Sequence, residues 1–162
     1  MSDISTEMAE TAPKSEFSGA EYNAVAKGAK LEGINLLSVA FNIQPEFLVD
    51  QKDWKLNYGR RVLSCNYSPD DNSVIAILQY HVTAKSGRKR ALHCVADYGV
   101  FYQTPDGATH DAAVGFCKNV GTFAAYPYFR ALFAQLANEA GVRLPPLPTI
   151  ASTAHIPPKE EK

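Results

Sequence analysis

A change of apolar period near residue 104 constrains this chain more than any other feature of its sequence. Before that point apolar residues recur at every second position; after it they recur three and four apart. In "KLEGINLLSVAFNI" (30–43), Leu37, Val39, Phe41 and Ile43 alternate with Leu36, Ser38, Ala40 and Asn42. Successive side chains on a strand point to opposite faces, so this is the pattern of a half-buried strand. "RRVLSCNYSP" (60–69) reads as a second strand, closed by the turn signal "SPDDN". "SVIAILQYHVTA" (73–84) and "RALHCVADYG" (90–99) are β-branched and aromatic runs that make an antiparallel hairpin with Gly87 at its tip. The strands are expected to follow one another as a meander, with one long connection over 44–59.

Helical spacing takes over from there. Ala112, Ala113, Phe116, Cys117 and Val120 form a stripe over 109–122, and Phe129, Leu132, Phe133, Leu136, Ala137 and Ala140 continue it over 127–140. Pro127 suits a first helical turn, where its missing N–H costs nothing. Gly141 suits the position just past a helix end, where a left-handed residue closes it. The run "LPPLP" (144–148) cannot continue a helix. A shorter helix over 18–30 has Ser18 as its N-cap. Strands followed by helices give an α+β class, a four-stranded antiparallel sheet with the 127–140 helix covering one face.

A chain of 162 residues suits one domain, expected over 18–150, with a disordered tail at 1–17 and a flexible one at 151–162. A formal charge of -1 lacks the basic excess of a nucleic-acid footprint. The odd set Cys65, Cys94 and Cys117 argues for a reducing compartment and against a disulfide framework. The N-terminus has no basic start and apolar run, and no stretch reaches 18 apolar residues, so neither a secretory signal nor membrane insertion is expected. These features point to the cytoplasm.

The search for catalytic chemistry fails at each step. His81 and His93 lie symmetrically about Gly87 and would face each other across the hairpin, but Cys94 points to the opposite face and no metal set forms. Cys94 and Cys117 sit in apolar runs, as small inert cysteines do. No nucleophile elbow or phosphate-binding glycine motif occurs. Asp106 and Asp111 flank a helix start, where they serve its dipole. No enzyme and no cofactor is expected. "KSGRKR" (85–90) is either a solvated hairpin tip or a surface for an acidic partner. The aromatics Phe47, Trp54 and Tyr58 crowd the long connection. They read either as cover for a sheet edge or as a hydrophobic groove for extended chains.

"QKDW" (51–54), "YPYFRALF" (126–133) and "LPPLP", in this order and spacing, resemble the SecB export-chaperone family over roughly residues 30–150. The resemblance implies a SecB-like fold, a dimer of dimers, and an ATP-independent holdase for unfolded preproteins, with the motor SecA as a partner. It implies a client groove lined by Trp54, Tyr58 and Val62; Phe47, Leu48 and Val49 join that set by their apolar character. Tyr128, Arg130 and Gln135, on the far side of the helix, are the expected subunit contacts. Two departures accompany the resemblance. Ser38, Asn42, Ser86 and Arg88 stand where the family presents carboxylates to the motor, and the helix that follows the proline-rich return is missing or reduced. Three functions follow from this: an export holdase, a chaperone dedicated to one client such as an antitoxin, or an adaptor oligomer without a groove.

Overall fold

The computed structural model describes residues 17–51 and 53–150; of the expected tails at 1–17 and 151–162 all but Phe17 lie outside the described residues, as does Lys52 of "QKDW". Helix α1 (Gly19–Gly28) opens with a capping box: Ser18 accepts from the Glu21 amide while the Glu21 carboxylate accepts from the Ser18 amide. Phe17, expected with the tail, stacks on Tyr22, with ring centroids 5.7 Å apart.

Four long strands follow: β1 (Lys30–Ile43), β2 (Trp54–Ser68), β3 (Ser73–Ser86) and β4 (Lys89–Gln103), all antiparallel. Their spatial order is β1-β4-β3-β2, which corrects the expected meander. The first connection, with its one 3-10 turn at Pro45–Phe47, carries the chain from one sheet edge to the other. Three inter-strand steps are about 14 Å, and the ten residues between β1 and β2 reach far further, so connection length alone permitted either order.

One boundary also moves, and one register shifts. β2 begins at Trp54 rather than at 60, so Trp54 and Tyr58 belong to a strand and not to a loop. A register shift between Leu36 and Ser38 inserts an extra residue into β1. Leu36, Val39, Phe41 and Ile43 therefore share the inner face, while Leu37 departs from the phase expected for it. The β3–β4 hairpin closes at Gly87, whose φ of 62° is one that a two-residue hairpin turn demands.

Helix α2 (His110–Glu139) is one continuous helix, so the expected break before Pro127 does not occur. The proline removes one ladder donor in mid-helix, and tertiary packing outweighs that loss. Tyr80 donates its hydroxyl to the Thr122 carbonyl at 2.6 Å and stacks on Phe129 at 5.2 Å, pinning both sides of the proline to the sheet. The helix ends as expected: Gly141 has φ 69°, its amide donates to Asn138, and the Val142 amide donates to Ala137.

The core lies between α2 and the face of β3 and β4 that carries Val74, Ala76, Leu78, Tyr80, Val82, Cys94, Ala96, Tyr98, Val100 and Tyr102, all buried. Helix α2 lies over β2, β3 and β4, and α1 packs on α2. The fold is α+β, with an antiparallel four-stranded sheet and its helices on one side.

Candidate functional site

The crossover is fastened before it reaches β2. The Gln51 side chain donates to the Gly141 carbonyl at 3.1 Å and accepts from the Arg143 amide at 2.8 Å, so its amide bridges the loop to the end of α2. Asp53 then takes a left-handed φ of 59°, and the chain enters β2. This clamp brings Phe47 and Trp54 together edge to face, with centroids 6.3 Å apart. Both rings are half-buried, and the Trp54 indole nitrogen is buried without a hydrogen-bond partner among the described residues. Leu48 and Val49 stay outside, with Val49 at 93% exposure.

Tyr58 and Val62 lie on the inner face of β2, opposite the buried Val82 and Leu78, yet they remain 45% and 37% exposed. Strand β2 is a sheet edge, and α2 leaves a groove beside it. One stretch, about 330 Å3, is walled by Tyr58, Arg60, Tyr80, Tyr126 and Ile150. The next, about 250 Å3, is walled by Arg60, Val62, Lys118, Thr122 and Phe123. Arg60 stands between them, its guanidinium carbon 5.1 Å from the centre of the Phe123 ring. Arg60 is a wall residue that was not expected; its place two residues from Tyr58 and from Val62 sets it on their face. The structure brings Phe47 to Trp54, and Tyr58 and Val62 into one groove; Leu48 and Val49 join neither.

The far end of α2 carries the expected subunit contacts. Tyr128 is 56% exposed and Gln135 is exposed. Arg130 is engaged within its own chain: its Nε donates to the Leu147 carbonyl at 2.7 Å, while the Tyr126 hydroxyl donates to Pro148 at 2.7 Å. These bonds draw the proline-rich return along α2 and bury Leu147.

A second apolar surface escaped the sequence analysis. On the inner face of β1, Leu31, Leu36 and Val39 are 49%, 44% and 43% exposed. The signal was present in the alternation itself, but alternation does not say what covers a face.

The outer face of the sheet is polar at its middle. Ser38, Asp97, Gln79 and Arg61 are direct partners across all four strands, and each is hydrogen-bonded to the next at 2.8–2.9 Å. The expected opposition of His81 and His93 is not found. His93 faces Thr83 and His81 faces Val95, because the hairpin register shifts between Ala84 and Lys85. Burial first, then the charges of Arg90 and His81, hold His93 below the ordinary imidazole range. Among the described residues no group of three or more His, Cys, Asp or Glu side chains could hold a metal ion. No helix among them is long and apolar enough to cross a membrane.

The antiparallel sheet is backed by one long helix, and aromatic and aliphatic side chains stay open along its edge strand β2. No family model and no curated protein matches this sequence. Among solved structures, the Mycobacterium tuberculosis Rv1957 SecB-like chaperone, in complex with a ChAD peptide from the Rv1956 HigA1 antitoxin, matches with a TM-score of 0.69 at 13% identity. The match covers 82% of this chain and 97% of that one. The fold is SecB-like.

Proposed function

We propose that this chain is an ATP-independent holdase that keeps non-native polypeptide segments in the groove between β2 and α2. The observation that carries the reading is the exposure of Tyr58 and Val62 beside a helix that could have covered them. Burying apolar surface is worth about 25 cal/mol per Å2, so a client that fills such a groove gains affinity without sequence-specific contacts. Trp54 and Phe47 continue the surface at one end, with Leu48 and Val49 at its margin. No cofactor or catalytic group is needed, and the protein acts as a binder rather than as an enzyme. Its three free thiols support a reducing compartment, the cytoplasm.

Copies of the chain assemble in this reading, as a dimer of dimers, with the exposed β1 face and the Tyr128–Gln135 side of α2 as the surfaces that would be covered. Stoichiometric suppression of aggregation of an unfolded protein tests the holdase. Trp54→Ala is expected to weaken client binding severalfold while keeping the native circular dichroism spectrum. No suppression by the wild-type chain would favour an adaptor oligomer instead.

A dedicated client is the second reading, favoured because the solved SecB-like structure holds an antitoxin peptide. Export with handover to SecA is the third, and the neutral or basic residues Ser38, Asn42, Ser86 and Arg88 count against it. A pull-down from the native host separates them: preproteins with SecA favour export, and a single recurrent client favours dedication.

A further inference from the structure

We infer that the β2 groove selects extended client segments in which an acidic residue is flanked, two positions away on each side, by apolar residues. The inference rests on the holdase reading and names its substrate class. Tyr58, Arg60 and Val62 are alternate residues of one strand and share its inner face, so the surface offered along β2 is apolar, cationic, apolar. An extended peptide has the same period of two, which places its own alternate side chains opposite these three.

Every charge on the groove walls is positive. Arg60 and Lys118 supply them, and among the described residues no aspartate or glutamate lines the groove; the neighbouring Arg61 turns its guanidinium to Gln79 on the outer face. Among the described residues Arg60 makes no ion pair and no hydrogen bond; its guanidinium lies against the Phe123 ring, which orients it. The whole chain is slightly acidic, so this bias is local and does not follow from composition.

The test is fluorescence anisotropy on a peptide whose apolar residues are fixed and whose central residue is Glu, Gln or Lys. The Glu peptide is expected to bind about fivefold tighter than the Gln peptide, with Lys weakest, and salt should narrow the gap. Arg60→Gln should erase the preference and Arg60→Glu should invert it, with circular dichroism confirming the fold. Should either variant fail to fold, the salt dependence of the wild-type series still decides. Binding of all three peptides within about twofold of one another would overturn the acidic preference and leave the holdase intact. Binding of none would overturn both. Displacement of the Glu peptide by a single-stranded oligonucleotide at equal charge would assign the cations to nucleic acid and overturn the inference.

Discussion

Strands β1 and β3 are each 14 residues long and each alternates apolar with polar positions, yet their fates differ. On β3 the inner row Val74, Ala76, Leu78, Tyr80, Val82 and Ala84 is buried throughout. On β1 the equivalent row leaves Leu31, Leu36 and Val39 more than 40% exposed. The difference lies in position. β3 is interior to the sheet and runs beneath α2, whereas β1 is an edge. An alternating pattern states which face of a strand is apolar; the element that covers it is decided by chain topology. Apolar surface left over on an edge is thus a statement about partners.

The covered side breaks hardest. Phe129 reaches from α2 onto Tyr80 and is 1% exposed. Phe129→Ala is expected to cost about 3–5 kcal/mol in urea unfolding, the range for truncating a buried aromatic. A loss below about 1 kcal/mol would mean that the α2–β3 contact does not hold the core.

The uncovered side behaves differently. Val39→Ala removes a side chain that is already 43% exposed, so in dilute solution its cost is expected to stay below about 1 kcal/mol. If a second copy covers β1, the deficit grows with protein concentration, because association stabilises only the assembled state. Melting wild type and variant at two concentrations reads this directly. A deficit that is constant across concentrations would remove the β1 face from the list of subunit contacts.

The same contrast explains what the sequence disclosed. The limits of β1, the β3–β4 hairpin, the C-terminal cap at Gly141 and the α+β class follow from periodicity and turn chemistry, which are local. Strand order did not, since a ten-residue connection fits either neighbour. Nor did the bulge near Leu37, where one inserted residue reverses the phase without changing composition. Pro127 read as a helix start because the locally cheap position for proline is there; the Tyr80 bond to Thr122 that helps hold it in mid-helix comes from 42 residues away in the chain. Of the candidate site, Trp54 and Tyr58 were legible as aromatics of the long connection, and Val62 only through the resemblance to SecB. Arg60 was not, because a charged residue on a strand reads as solvent-facing until a ring such as Phe123 is seen beneath it.

The smallest expected effect concerns chemistry rather than stability, and it compares rim with core once more. Cys65 lies on edge strand β2 and is half-buried, whereas Cys94 on β4 and Cys117 on α2 are buried. A hydrogen bond from the Cys117 thiol holds Cys65 below the ordinary thiol value, with the nearby charges of Lys118 and His110 assisting. Its other contact, 3.9 Å to the Val114 carbonyl, is long and opposes ionisation weakly. The shared hydrogen bond pushes Cys117 upward, and burial raises Cys94 to about 11. The thiolate is the nucleophile, so a lowered value means more reactive sulfur at neutral pH. Iodoacetamide at neutral pH should therefore modify Cys65 first, as mapped by peptide mass spectrometry. Its rate should level off at a pH below that at which Cys94 begins to react. Earlier labelling of Cys94 or Cys117 would show that α2 opens from the sheet faster than the rim thiol reacts, and β3 would then be no better covered than β1.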